Sequence, residues 1–166
     1  MRVQIAMVHV ALLAAVGCAS DSVSGVRSLQ PAIDLDGSIG IDPRLDARIV
    51  LPFSSGGSGQ PFLRVQITNG LADAVTSGAC ADRVDVKPVD GGTWFDATPA
   101  QQTCTDQLVS FMPGVPSTIN VAVTLRTMRA VAGGERRPLL LRVRHLVWRN
   151  RIGYGVQSAE QVVTAP

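Results

Sequence analysis

The sequence predicts an all-β protein, an antiparallel β-sandwich of about seven strands. Three observations lead to this prediction. Apolar and polar residues alternate with a period of two in several runs, which is the pattern of a strand with one buried face. Clusters of Gly, Pro, Ser and Asn separate these runs. No stretch combines an apolar period of 3.6 residues with helix caps, so we expect no helix.

The predicted strands differ in how clearly they alternate. The clearest runs are Leu63–Thr68, Arg83–Lys87, Ile119–Leu125, Leu139–Val147 and Val162–Thr164. Two shorter candidates are Arg48–Phe53 and Leu108–Met112. Turn signals lie between them at Asn69-Gly70, Asp90-Gly91-Gly92, Pro113-Gly114, Gly133-Gly134 and Arg149–Gly153. Each strand must hide one apolar face, and two sheets that cover each other meet this need.

Composition limits the possible functions. The chain has 166 residues, of which 46% are hydrophobic and 17% charged, and this fits one folded domain with some tail. Its 15 basic and 13 acidic residues nearly balance. We therefore expect no nucleic-acid partner, since such a protein must neutralise many phosphates. Two histidines and three cysteines supply little for a metal cluster, so we expect no metal and no cofactor.

The amino terminus has the pattern of an export signal. Arg2 precedes an apolar run from Val3 to Val16, which has the length of a signal-peptide core and is too short to span a membrane comfortably. The run ends in Ala15-Val16-Gly17-Cys18, which resembles the lipobox of bacterial lipoproteins. The resemblance implies that residues 1–17 are removed and that Cys18 receives diacylglycerol and becomes the first residue.

The lipobox resemblance also implies a location in the bacterial cell envelope. Ala19, where an Asp would mean retention at the inner membrane, favours the outer membrane in a host with two membranes. Two alternatives remain open. Cleavage around Gly17-Cys18-Ala19 would give a secreted or periplasmic protein without lipid, or the segment could stay as a short anchor.

Export determines how we interpret the remainder of the chain. Residues 18–46 are predicted to form the lipid-bearing end and a flexible tether, and residues 47–166 the sandwich. With Cys18 lipidated, Cys80 and Cys104 are left as a pair in an oxidising compartment. We expect a disulfide between them, closing a loop of about 25 residues.

The carboxyl-terminal half contains Pro113-Gly114 before a strand, the run Leu139–Trp148, a Gly-rich hairpin through Gly155 and Ser158 before a final strand. In this pattern the chain resembles the end of an immunoglobulin-like or fibronectin type III-like domain. The resemblance implies an immunoglobulin-like sandwich whose exposed loops bind partners.

The candidate binding residues lie mainly in one stretch. Trp, Tyr and Arg dominate the binding energy of interfaces, and the stretch supplies Arg142, Arg144, Trp148, Arg149, Arg151 and Tyr154. Trp94 is a second candidate anchor. Arginine forks would suit an envelope protein or an anionic glycan. In the alternative interpretation, the arginines form a charge ladder with Asp85 and Glu160 on neighbouring strands.

His145 is the remaining candidate for chemistry. It continues the inward register of Val143 and Val147, so it is either a satisfied core histidine or the base of a small hydrolase. The core interpretation is preferred because no positioned nucleophile accompanies it, and we assign no catalytic residue. The sequence thus predicts a membrane-anchored, non-catalytic binding or scaffolding module of oligomeric state unknown. The alternatives are an inhibitor of envelope proteases that uses Arg149–Tyr154, and a hydrolase that uses His145.

Overall fold

The structure is a computed structural model. It describes residues 40–55, 60–78, 80–100, 107–134 and 136–164. In these ranges the strands are β1 (Leu45–Ser55), β2 (Pro61–Asn69), β3 (Val75–Gly78), β4 (Asp82–Pro88), β5 (Phe95–Asp96), β6 (Leu108–Phe111), β7 (Ser117–Ala122), β8 (Pro138–Arg149), β9 (Ile152–Gln157) and β10 (Gln161–Thr164). One helix, α1 (Leu125–Val131), lies between β7 and β8. The fold is all-β and sandwich-like, with antiparallel sheets, as the alternation predicts.

The smaller sheet has the order β1-β2-β7. Its central strand confirms the predicted alternation, because Leu63, Val65 and Ile67 are fully buried while the residues between them are exposed or half-buried. β1 extends the predicted Arg48–Phe53 strand in both directions. It begins at Leu45, two residues before the predicted start of the domain, because the buried positions Leu45 and Ala47 continue the apolar register toward the amino terminus.

The larger sheet is built around β8, a strand of 12 residues. β4 and β3 follow one another along one edge of β8, and β10 and β9 along the other. Asp82 lies opposite His145, and Thr76 lies opposite Trp148. Two residues lie between His145 and Trp148 on β8, whereas five lie between Thr76 and Asp82 on the flanking chain. Cys80, with a φ of 63°, lies in this additional length of chain between β3 and β4. Local irregularity of this kind is what splits one flanking strand into two.

Backbone bridges join the two sheets at two corners. Ile41 and Ala47 form parallel bridges to Gly155 and Ser158, which brings the chain before β1 and β1 itself to the β9 side of the larger sheet. At the other corner Asn69, at the end of β2, forms a parallel bridge to Pro113, just beyond β6. The buried Asn69 side chain strengthens this corner by donating to the carbonyl oxygens of Phe111 and Asp73 at 2.9 and 2.8 Å.

The prediction that the chain has no helix is wrong. The predicted strand Ile119–Leu125 ends at Ala122, and a helix of seven residues begins at Leu125. Leu125, Met128 and Ala132 recur at helical spacing, and this places them on one face against the core. Met128 is fully buried, and Gly133 and Gly134 follow with φ of 71° and 77°, a conformation that suits glycine at the end of a helix.

Candidate functional site

The hairpin of β8 and β9 lies where the sequence predicts an exposed loop. Arg149 and Ile152 are its last paired residues, so the turn contains only Asn150 and Arg151. Both have positive φ, 50° and 69°, as a two-residue type I′ turn requires. Asn150, Arg151 and Ile152 are exposed. The prediction of a five-residue turn was too long, because Ile152 and Gly153 already belong to β9.

Trp148 covers a glycine on the outer face of this hairpin. Gly153 is its partner across the two strands, and a Cβ placed on Gly153 would lie 3.6 Å from Trp148 Nε1 and 3.6 Å from Leu146 Cδ1. The indole therefore lies across the glycine and remains half-buried. Tyr154 points to the opposite face, where it packs partly against the core. The two aromatic residues of the predicted patch thus lie on different sides of the hairpin.

Arg142 and Arg144 belong to the charge ladder that the sequence analysis kept as the alternative. Arg142 Nε donates to Asp85 Oδ2 at 2.9 Å, and Arg144 Nη2 donates to Asp85 Oδ1 at 2.9 Å. Asp85 has no exposed surface, and Arg144 is also buried. The guanidinium groups of both arginines therefore form ion pairs with this one carboxylate. Glu160 Oε1 lies 3.9 Å from Lys87 Nζ.

Trp94 completes the same ladder. Its ring lies under two cations, with Arg142 Cζ 4.3 Å and Lys87 Nζ 4.5 Å from the ring centroid. Stacking of this kind is favourable when the cation is partly shielded from water. Trp94 is half-buried and lies on the outer face of the larger sheet, so its ring packs on the charge ladder.

His145 lies in the core, as its register predicts. Its Nδ1 contacts Asp82 Oδ1, and its ring meets Phe111 edge-on with the centroids 5.6 Å apart. Nε2 is buried and has no hydrogen-bond partner in the part of the chain that the structure describes. A carboxylate–imidazole pair is present there, but no hydroxyl or thiol in the described ranges lies within hydrogen-bond reach of Nε2, as nucleophilic catalysis would require.

The predicted lipid and disulfide residues are only partly visible. Cys18 and Cys104 lie outside the described residues, and Cys80 lies in the irregular segment between β3 and β4. The lipidation of Cys18 and the pairing of Cys80 with Cys104 therefore stay predictions.

Exposed apolar residues that the sequence did not indicate lie at the end of the sandwich where the hairpin tip is found. Four short segments meet there: residues 40–44, 70–74, 112–116 and 149–152, which we call the entry end because Gly40 is the first described residue. Its large exposed apolar residues are Ile41, Met112, Val115 and Ile152. No single alternating run contains all four, because they lie in separate segments and only the topology brings them to one end.

Ion pairs hold two arginines of the entry end. Arg44 Nη2 lies 2.7 Å from Asp42 Oδ2, and its Nε donates to Asp42 Oδ1 at 3.0 Å. These bonds lower the pKa of Asp42 from its ordinary value of 3.8 to about 2. Arg149 forms an ion pair with Asp73 in the loop between β2 and β3. Arg151, at the turn, forms no ion pair with the described residues.

A cleft of about 430 Å³ lies at the opposite end of the sandwich. It is lined chiefly by apolar residues of the β4 end, the α1 end and the β8 start, among them Val89, Val131 and Leu139. Within the described ranges there is no group of three or more His, Cys, Asp and Glu residues that could hold a metal ion. No helix of the described ranges is long and apolar enough to cross a membrane.

The fold and its exposed hairpin define an all-β, sandwich-like protein that presents a two-residue turn at one end. No family model matches the chain, and no curated protein matches it. Among solved structures, the chain is similar to a protein from Archaeoglobus fulgidus known from its crystal structure. The identity is 11% and the TM-score 0.42, over 74% of this chain and 95% of that one.

Proposed function

We propose that this chain is a lipid-anchored, non-catalytic binding module of the bacterial cell envelope, which presents the β8–β9 hairpin to a partner. The observation that carries the proposal is the hairpin tip, where Asn150, Arg151 and Ile152 are exposed on a turn of only two residues. A short turn on paired strands holds these side chains in place and so reduces the entropy lost on binding. Binding residues are commonly found on loops that a rigid scaffold positions.

Charge supports the choice of this hairpin over the other predicted residues. Arg142, Arg144 and Trp94 are engaged with Asp85 or with each other, whereas Arg151 forms no ion pair with the described residues. A guanidinium that is not already paired can bind a carboxylate or phosphate in two hydrogen bonds. The partner classes that fit are an envelope protein and, as the alternative, an anionic glycan.

The lipid anchor and the immunoglobulin-like relationship rest on the sequence. The lipobox-like Ala15–Cys18 supports lipidation, and the strand pattern of residues 47–166 supports an immunoglobulin-like or fibronectin type III-like sandwich. A disulfide between Cys80 and Cys104 is supported by the cysteine count, because lipidation of Cys18 leaves these two as a pair in an oxidising compartment.

Mass spectrometry of the mature protein from its native host tests the anchor and the disulfide together. We expect an amino-terminal Cys18 peptide that carries acyl chains and a cross-linked peptide that contains Cys80 and Cys104. A mature chain without lipid would overturn the anchor and favour plain secretion. Free thiols at both cysteines would overturn the disulfide.

Cross-linking in intact cells tests the hairpin. We expect Trp148→Ala and Arg151→Ala to remove the cross-linked partner, because the first deletes the aromatic surface and the second the unpaired guanidinium. Arg64→Ala on β2 is the matched control, since Arg64 is exposed but lies on the smaller sheet. A partner that is retained in both hairpin variants would exclude this loop.

The hydrolase alternative needs a separate measurement. The Asp82–His145 pair would have to act on a nucleophile brought by another part of the chain. If an activity is found, its survival in His145→Gln would dismiss this alternative, and its loss with an unchanged unfolding temperature would favour it over the binding module.

A further inference from the structure

Exposed apolar side chains are concentrated at the entry end of the sandwich. In the described residues nine large apolar side chains are exposed, and four of them lie there: Ile41, Met112, Val115 and Ile152. Apolar surface gathered at one end of a molecule and bordered by polar groups is typical of a docking site. The other five are spread over β1, β6, β10 and the turn after β4.

Arginines border these apolar residues. Arg44, Arg149 and Arg151 lie at the entry end against two aspartates, Asp42 and Asp73. The Arg44 side chain is largely exposed although it is paired with Asp42. Arginine beside exposed apolar side chains fits the boundary of a bilayer, where phosphate groups adjoin acyl chains.

The chain enters the sandwich at the same end. The carbonyl oxygen of Gly40 accepts a hydrogen bond from the Gly155 amide at 3.1 Å, and Ile41 forms a bridge to the same residue. Only 21 residues lie between Cys18 and Gly40 in the sequence. If these residues form the tether that the sequence predicts, their average reach is about 25 Å, and an anchor at Cys18 keeps the entry end close to the lipid surface.

We infer that the surface bound by the entry end, including the hairpin tip, is the lipid bilayer itself, with Ile41, Met112, Val115 and Ile152 at the boundary between headgroups and acyl chains. The inference rests on the proposed lipid anchor. At the hairpin tip it replaces the envelope protein or anionic glycan considered above with the membrane, so a protein cross-linked through Trp148 and Arg151 would contradict it. A lipid anchor together with a protein surface gives more stable attachment than either alone, because the anchor keeps that surface at a high local concentration.

Charge alone would not select this end. The opposite end carries Arg126, Arg129, Arg136 and Arg137 near α1, but Val89 is its large exposed apolar residue in the described ranges. The number of arginines therefore does not select between the two ends, whereas the exposed apolar side chains do. The two orientations place different strands against the lipid, and this makes the inference testable.

The test uses one tryptophan as a depth probe on the full mature, lipidated chain. Trp94→Phe and Trp148→Phe remove the native signals. Ile152→Trp then places a probe at the entry end, and Val162→Trp places its matched control on β10, which pairs with the beginning of β8. The two positions are 59% and 60% exposed, so they differ in location and hardly in accessibility. The proteins are incorporated into phosphatidylethanolamine–phosphatidylglycerol vesicles with or without brominated acyl chains, and bound protein is isolated by flotation.

We expect the Ile152→Trp probe to shift its emission to shorter wavelength and to lose intensity in brominated vesicles, while the Val162→Trp probe changes little. Equal quenching of both probes, quenching of Val162→Trp alone, or no quenching in protein that floats would overturn the inference and leave the anchor intact. Failure of the protein to float would overturn the anchor first and the inference with it.

A second copy and a protein partner are the competing occupants of the entry end. Sedimentation of the lipidated chain in detergent distinguishes the first of them. A dimer that is lost in Ile152→Ser but kept in Val162→Ser, together with an unquenched Ile152→Trp probe, would assign the surface to a second copy. A monomer in detergent, together with quenching of Ile152→Trp in vesicles, is the result that supports the bilayer.

Discussion

Asp85 shows how much one side chain can matter in this molecule. Its fully buried carboxylate holds the guanidinium groups of Arg142 and Arg144, and the ring of Trp94 lies against Arg142. The exposed Asp46–Arg48 pair on β1 has the same chemistry and a bond of 2.7 Å, but water surrounds both groups. The two aspartates therefore form a natural pair for comparing a buried with an exposed ion pair.

We expect Asp85→Ala to lower the free energy of unfolding by about 3–5 kcal/mol, because it leaves two cations in a shielded position without their anion. Asp46→Ala should cost less than about 1 kcal/mol, since exposed pairs contribute little. Urea unfolding at neutral pH measures both. Equal losses in the two variants would contradict the role assigned to burial.

Asp42 makes the stability of the folded protein depend on pH. Arg44 lowers the pKa of this carboxyl to about 2 in the folded protein, from the 3.8 expected when the chain is unfolded. The folded state thus binds the proton less readily, and the pair stabilises it fully above pH 3.8. This contribution is lost as the pH falls toward 2.

We therefore expect acid to reduce the unfolding temperature more in the wild-type protein than in Asp42→Asn over this range. The variant should be less stable than wild type at neutral pH and closer to it near pH 2, because amide and protonated carboxyl are then alike in charge. Thermal unfolding followed at a series of pH values provides the comparison. A constant difference between the two proteins would exclude the proposed linkage.

Individual residue environments were predictable where a strand carried them. The alternation of Val84 and Val86 with Asp85 placed the carboxylate beside the β8 arginines, and the structure has it there. The Asp42–Arg44 pair was missed because a short turn in a polar segment carries no periodic signal.

At the scale of the element, α1 is the part that the period-two pattern concealed. The alternation of Ile119, Val121, Val123 and Leu125 continues without a break into residues that are helical. Met128 and Ala132 supply a helical period only together with Leu125, and a helix of seven residues offers too few turns for that period to stand out. Core contacts hold such a short helix together, since its own hydrogen bonds are too few.

Met128 is accordingly the residue on which α1 depends. We expect Met128→Ala to destabilise the protein by about 2–5 kcal/mol, because it removes a fully buried side chain and leaves a cavity. Met112→Ala is the control with the same chemistry, and it should change stability by less than about 0.5 kcal/mol because Met112 is exposed. Chemical denaturation measures the loss of stability in both variants. A similar loss at both positions would show that the helix face is not packed as described.

The larger sheet contains two elements that the sequence did not indicate as strands, β3 and β5, and a third, β9, that it indicated only as the returning arm of the Gly-rich hairpin. β5 has two residues and β3 has four, both too short for an alternating pattern. β9 has Gly153 and Gly155 at the positions that face outward, where a polar residue would have marked the alternation. Trp148 and Leu146 fill the space beside Gly153, so the information lies on the neighbouring strand.

At the scale of the whole molecule, the class of fold was predictable and the joining of its sheets was not. The buried faces of β2, β4 and β8 follow from alternation alone. The corners formed by Ile41 with Gly155 and by Asn69 with Pro113 depend on residues far apart in the chain. The entry end results from these corners, which explains why only its hairpin was predicted as a binding surface.

The proposed Cys80–Cys104 bond acts at this same scale. A cross-link that closes a loop of about 25 residues restricts the unfolded chain and should stabilise the folded state by roughly 3–4 kcal/mol. We expect Cys104→Ser and reduction of the wild-type protein to lower stability by similar amounts, with no further loss when the variant is reduced. Denaturation with and without a reductant measures both, and an insensitive wild-type protein would contradict the bond.

The two bridged corners have a consequence for the way the protein comes apart. Backbone bridges connect the two sheets at both corners, so the sheets cannot separate without breaking these bridges. We expect cooperative melting, with the amides of β2 and β8 opening in hydrogen exchange only when the entire domain opens.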